Sequence, residues 1–255
     1  MMVVSYSDVS SYLRCPRALQ LKRAGTPEQD KPVMAVGRAM HRLHEAIVAA
    51  GWGPEDEEAA TTALADLLGQ EVIDGQALPE IIATDDKLGK TWAKLAASIP
   101  WLLEEVAGRD YLSIEAGLRA SLPGAPGVEI AGHPDALYRR DDLLTLGDLK
   151  CGRNKPSDVG TDLQLNFYAA LVREATGVVP DELEITHPYS REVLSAPCDQ
   201  GIIDATLAEV VVPAVAGIAA GVWPCNPTHP YGCGGCLYAT ACEFGRAAQT
   251  DDGGE

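Results

Sequence analysis

Residues 142–150, DLLTLGDLK, form an apolar run that ends in an acid and a lysine two residues apart, Asp148 and Lys150. Side chains alternate across a strand, so these two share a face. Either a strand simply meets water there, or two residues on one face share a metal and a water. Upstream, GHPDALY (132–138) puts Asp135 near the start of a preceding strand, with Asp141 and Asp142 as the turn between the two. If the strands are neighbours, two carboxylates and an ammonium converge. Carboxylate oxygens suit Mg²⁺ or Mn²⁺. Such an ion holds a phosphate oxygen and lowers the pKa of a water, and a lysine beside it helps neutralise the transition state. D-x-K alone is a weak signal, and the flanking sequence has to support it.

Before this stretch the chain reads as helical: 6–24, with Ser7 as a cap, then 33–50 ending near Gly51, 55–69, and 88–107. YLSIEAGLRASL (111–122), GVEIAGHPDALYRR (127–140) and DLLTLGDLK then read as three strands separated by Pro/Gly and Asp-Asp turns. TDLQLNFYAALVREATG (161–177) returns to a helix stopped by Gly177, DELEITHPYS and EVLSAP give two more strands, and 204–221 gives a last helix despite Pro213. The order predicts an α/β or α+β chain with a mixed sheet.

The net charge of −17 argues against a general nucleic-acid coat. It is unevenly spread: residues 14–42 hold seven Lys/Arg against two acids, whereas 43–86 hold none against eleven. A second basic cluster is Arg139, Arg140, Lys150, Arg153 and Lys155. Phosphate contacts are therefore sought at Arg14, Arg17, Lys22, Arg23, Arg153 and Lys155. No apolar run approaches the roughly 20 residues of a membrane span, and the start has no signal-peptide pattern. A soluble, cytoplasmic protein with no membrane contact is expected.

Three further features bear on the acid–lysine pair. GRAMH (37–41) puts His41 four residues after Gly37 on a helix, where a glycine permits close packing, and an imidazole is a credible additional ligand for Mn²⁺. QLNFY (164–168) stacks Gln164 and Tyr168 on one helical face, where they could hold a phosphate or position the lysine. CGGCLYATAC (233–242) supplies Cys233, Cys236 and Cys242 in a C-x2-C-x5-C run, a strong ligand signal. The fourth ligand is either Cys225 or Cys15, and the spacing does not separate zinc from iron–sulfur. Glu115 is another acid near the site, read first as a strand-face charge. His44 and His133 read as bystanders and Cys151 as core.

Together SYLRCPR, GRAMH, GHPD, GDLK, QLNFY and CGGCLYATAC resemble, in this order, the RecB-like branch of the PD-(D/E)xK nucleases. The iron–sulfur exonucleases of the CRISPR-adaptation type and their phage relatives are the nearest likeness. The resemblance implies an α/β restriction-endonuclease-like core, a central mixed sheet flanked by helices, with an N-terminal helical region and a C-terminal Fe–S cysteine segment. It implies one nuclease domain over 1–245 (1–110 helical, 111–200 the sheet core, 201–245 the helix and cysteine segment) and a disordered tail, 246–255. His41, Asp135, Asp148 and the Leu149 carbonyl would bind Mn²⁺ or Mg²⁺, and Lys150, Asp135 and Asp148 would be catalytic. Gln164 and Tyr168 would meet substrate. Cys15, Cys233, Cys236 and Cys242 would hold a 4Fe–4S cluster. The implied activity is a DNA exonuclease acting on single-stranded ends, with a recombination or CRISPR-integrase partner and an oligomer both allowed. The rival reading is a non-catalytic zinc- or cluster-bearing DNA-binding or scaffold protein.

Overall fold

The strand that carries Asp148 lies in the middle of a five-stranded mixed sheet in a computed structural model that describes residues 1–155, 158–227, 233 and 236–246. In chain order the elements begin with β1 (Met2–Ser5), α1 (Tyr6–Arg14), α2 (Pro16–Arg23), α3 (Pro32–Ala50) and α4 (Glu57–Gly69). A small hairpin, β2 (Val72–Ile73) and β3 (Gln76–Ala77), leads to α5 (Leu78–Thr84), α6 (Asp86–Ala96) and α7 (Ile99–Ala107). Five strands follow: β4 (Asp110–Ile114), β5 (Leu118–Ser121), β6 (Val128–Gly132), β7 (Ala136–Arg140) and β8 (Leu143–Leu149). Then come α8 (Leu163–Thr176), β9 (Glu182–His187), β10 (Glu192–Pro197), α9 (Gln200–Ala205), a π-helical stretch (Thr206–Val211) and α10 (Val212–Ala219).

The chain groups into two compact units. One is Asp30–Leu118 with His133–Ile203, and the other is Met1–Gln29, Arg119–Gly132 and Asp204–Glu255. The first unit carries the large sheet, ordered β10-β9-β8-β7-β4. Its pairs are antiparallel except β8 with β9, which run parallel. α8 is the connection between those two strands, as parallel neighbours require. β8 is buried from Leu144 to Leu149. Leu149 joins a core cluster with Val36, Met40, Leu43 and Ile47 of α3 and Leu102 and Leu103 of α7. Gly147 is a glycine for a steric reason: a Cβ there would stand 2.9 Å from Cε1 of the buried Tyr138.

The second unit holds a three-stranded sheet, β1-β6-β5, with β1 parallel to β6. α1 opens with a capping box on Ser5 and Asp8, two residues before the expected cap at Ser7. The expected single helix over 6–24 is two, because Cys15 is extended (φ −160°, ψ 105°) ahead of Pro16; proline disfavours helical geometry in the residue before it. The helix expected over 88–107 also divides, into α6 and α7, with Pro100 in the first turn of α7. The expected strand over 111–122 is two strands in different sheets. So is the strand expected over 127–140.

Residues 200–219 form one helix that is long and apolar enough by length and composition to cross a membrane, which corrects the reading that no such run exists. One face of it, with Leu207, Val211, Val215 and Ile218, is buried within the protein. Pro213 is tolerated because the preceding turn is a π-turn, with Val212 N–H bonded to the Leu207 carbonyl. The expected tail, 246–255, lies outside the described residues except for Arg246, as do Gly234 and Gly235 of the cysteine motif.

Candidate active site

The site is assembled where β4, β7 and β8 end, beneath α3. β7 pairs with β8 through Ala136 opposite Gly147, so the next step of that register sets Asp135 opposite Asp148. The Asp135 Oδ2 accepts the Leu149 N–H at 2.8 Å, tying the acid to the strand that carries the other one. One strand further out, β4 hands over to Glu115, whose N–H donates to the Asp135 carbonyl at 3.1 Å. Glu115 is left-handed (φ +48°), an uncommon conformation for this residue type. The His133 Nδ1 donates to the Glu115 carbonyl at 3.0 Å, so His133, expected to be a bystander, fixes this turn.

His41 descends from α3. Its Nδ1 is 3.4 Å from Asp135 Oδ2 and 3.8 Å from Glu115 Oε1. His41, Glu115 and Asp135 are the one group among the described residues whose metal-ligating atoms all lie within 4.8 Å of one another. Gly37, a turn earlier on α3, does not pack closely, since a Cβ there would meet nothing within 4 Å.

Asp148 is almost fully buried and belongs to a second, contiguous constellation. Its Oδ1 accepts from Gln164 Nε2 at 2.9 Å, and its Oδ2 lies 2.7 Å from Lys150 Nζ. The angle of that second contact leaves Oδ2 without a well-formed hydrogen bond. Lys150 Nζ in turn donates to Gln164 Oε1 at 2.6 Å, so Gln164 bridges acid and lysine. Strand β8 ends at Leu149, but the Lys150 N–H still bonds the Thr186 carbonyl at 3.0 Å and continues the register. Gln164 comes from the first turn of α8, which is capped by Asp162. Tyr168, one turn on, is half-buried with its ring against Phe167.

The electrostatics follow from two acids in one dry place. Burial, then the charge of Asp148, pushes the Asp135 carboxyl up to about 7. Burial likewise raises Asp148, opposed by Lys150. For Lys150 burial favours the neutral amine, but the Asp148 carboxylate outweighs it and the ammonium is held. Burial also disfavours the His41 imidazolium, while Glu115, Asp135 and Asp148 favour it more strongly and raise its pKa. Oxygens and an imidazole, with two carboxylates forced together and one buried oxygen poorly bonded, fit a divalent cation. His44, three residues on, is different: buried on Tyr111 at 3.1 Å, it is pushed down to about 3 by burial and then by Arg109. It is a neutral core histidine. Cys151 packs against the core as expected.

The cysteines gather elsewhere, in the second unit. Burial, then the neighbouring Cys15 and Cys233 thiols, pushes Cys225 up to about 12. Burial raises Cys236 as well, with Cys15, Cys242 and Cys233 adding to it. The Asn226 N–H points at Cys15 Sγ (3.4 Å) and the Tyr238 N–H at Cys236 Sγ (3.5 Å). All these thiols are free. They are neighbours, but among the described residues no three thiols come as close together as the donors around His41.

The basic lining expected between residues 14 and 42 is largely neutralised by the protein's own acids. Lys22 and Arg23 face Asp8, Arg17 faces Glu243, Arg38 is bound by Asp30 and Glu71, and Arg42 by Glu71.

No curated protein matches the chain. One solved structure, titled "Crystal structure of SSO0001", is similar at 14% identity and a TM-score of 0.37, covering 94% of this chain and 85% of that one. The profile of the PD-(D/E)XK nuclease superfamily matches residues 3–243, a span that contains every acid, the lysine and the histidine just described. The profile covers nearly the whole chain, and the chain belongs to the PD-(D/E)XK nuclease superfamily.

Proposed function

We propose that this nuclease is a metal-dependent DNA exonuclease that carries a 4Fe–4S cluster and trims single-stranded ends during recombination, DNA processing or CRISPR adaptation. The observation that carries the hydrolytic part is the continuous array from His41 and Glu115 through Asp135 to Asp148, Gln164 and Lys150. A divalent cation held by His41, Asp135 and Asp148, with Glu115 as a fourth side chain and the Leu149 carbonyl, would supply Lewis acidity to a phosphate oxygen and lower the pKa of the attacking water. The chain's own residues do the rest. Lys150, kept as an ammonium by Asp148, offers a charge-assisted donor to the phosphate as negative charge develops on it. Gln164 positions that lysine by accepting from Nζ while donating to Asp148. Tyr168 extends the same helical face toward substrate. The preference for ends and single strands, and the cellular process, rest on the resemblance. The cluster is supported by the neighbouring thiols of Cys15, Cys233, Cys236 and Cys242, with Cys225 beside them.

The test is degradation of end-labelled single- and double-stranded DNA by anaerobically purified protein with Mn²⁺, Mg²⁺ or chelator. Degradation that requires metal and is reduced at least a hundredfold by Asp148→Ala and by Lys150→Ala is the expected result. An intact cluster absorption with no loss of any labelled DNA would overturn the nuclease reading in favour of a binding or scaffold role.

A further inference from the structure

Most cations of the first unit are occupied: Arg38 and Arg42 by acids, Lys155 by Glu192, and Arg109 and Arg140 by Glu184. One place differs. A pocket of about 270 Å³ is lined by Asp86, Lys87, Lys90, Thr91, Arg153 and Tyr189. Lys87, Lys90 and Thr91 lie on one face of α6, at i, i+3 and i+4. Lys94 continues that face and sits 4.6 Å from the centre of the Tyr189 ring, which fixes the pocket wall. The single acid of the lining, Asp86, is taken up by Lys90 at 2.7 Å. Lys87 and Arg153 are exposed and make no ion pair among the described residues. In a chain of net charge −17, unpaired cations from two separate elements facing one concavity mark it as an anion site.

Its position says which anion. Arg153 is three residues after Lys150, so their Cα atoms stand at most about 11 Å apart. The turn that carries Tyr189 is fastened to the same segment by the contact of His187 Nε2 with the Gly152 carbonyl at 2.9 Å. We propose that this pocket holds the sugar–phosphate backbone of the strand whose scissile phosphate lies at Asp148 and Lys150. This rests on the nuclease reading above. Lys87 and Arg153 are the phosphate partners, Thr91 is a buried floor whose hydroxyl is already donated to the Lys87 carbonyl at 3.0 Å, and the pocket keeps the strand in register a short distance from the reacting centre. No base edge is read there, so binding is independent of sequence.

The test separates this pocket from the nuclease reading. Binding of a fluorescent oligothymidine is followed by anisotropy in chelator across a salt series, for wild type, Lys87→Ala/Arg153→Ala and Lys87→Arg/Arg153→Lys. Counterion release from single strands changes the slope of log affinity against log salt by about 0.7 per phosphate contact. The alanine pair is expected to bind more weakly and to flatten the slope by about 1.4, while the charge-retaining pair keeps it. A wild-type slope in the alanine pair overturns the pocket. Hydrolysis of bis(p-nitrophenyl) phosphate by the wild type with Mn²⁺ reads the metal centre alone; if the wild type cleaves neither this diester nor DNA, the nuclease reading fails, whatever the slopes show.

Discussion

Asp135 faces another buried carboxylate, and that gives it a pH signature. The folded chain keeps its proton up to about pH 7, because burial and Asp148 disfavour the charge. The unfolded chain releases it near the ordinary aspartate value. Between those two pH values the folded state therefore binds more protons, and stability falls as pH rises through that window. Chelator-treated protein is expected to lose melting temperature between about pH 4 and 7, and Asp135→Asn is expected to flatten that decline; equal slopes would refute the coupling. Glu115 makes a second prediction. It closes on His41 and Asp135 within 4.8 Å, so Glu115→Gln is expected to weaken Mn²⁺ binding, by calorimetric titration, about ten- to a hundredfold. An unchanged affinity would remove it from the site. Asp148 and Lys150 are legible in the sequence because the two-residue strand period puts them on one face; Asp135 joins them only once β7 is known to pair with β8. Glu115 is not legible there. The period treats it as one strand-face acid among many, and only its left-handed turn, held by His133, aims it at His41. Gln164 was legible as a helical neighbour of Tyr168, but its bridging of Asp148 and Lys150 needs the α8–β8 packing.

At the scale of elements, β8 delivers Asp148 with sub-ångström demands on its neighbours. Gly147 lies under Tyr138 of β7, and a methyl group there would stand 2.9 Å from the ring of a fully buried residue. Gly147→Ala is expected to destabilise the first unit by about 1–3 kcal/mol, as overpacked cores do, and to lower activity by displacing Asp148; an unchanged melt would show that the sheet yields. Two of the helix breaks that periodicity hides lie at proline. Periodicity runs straight through Cys15–Pro16 and through Ser98–Ile99–Pro100, yet the backbone breaks at both. The opposite error threatens at Pro213, where a π-turn absorbs the missing N–H and the helix continues. Segment 111–122 alternates like one strand because Glu115–Gly117 is a turn without a Pro, Asn or Asp to announce it. Residues 72–84 carry no periodic signal in the sequence: a hairpin of two-residue strands and a seven-residue helix are too short for one.

For the whole molecule, the two chemistries are segregated: His41, Glu115, Asp135, Asp148 and Lys150 lie in one compact unit, and Cys15, Cys225, Cys233, Cys236 and Cys242 in the other. The second unit is collected from three stretches of chain, residues 1–29, 119–132 and 204–255. Such a unit gains most from a covalent clasp. Joining Cys15 to Cys233 closes a loop longer than any in ordinary disulfide series, and chain entropy alone would make that closure worth upward of about 4 kcal/mol. The large unit has the α3, α7 and β8 core and needs no such staple. On the proposed 4Fe–4S cluster, the wild type purified anaerobically is expected to show visible cluster absorption and Cys236→Ser to lose it. The variant's amides in β6 and α1 should exchange hydrogen at least tenfold faster, while those of β7, β8 and β9 keep their protection and Mn²⁺ binding at His41 persists. Uniform loss of protection in both units would mean that they fold as one and would refute a local staple. Cys225→Ser decides the ligand set in the same experiment. Retained absorption makes Cys15 the fourth ligand beside Cys233, Cys236 and Cys242; lost absorption in Cys225→Ser with retention in Cys15→Ser reverses that assignment.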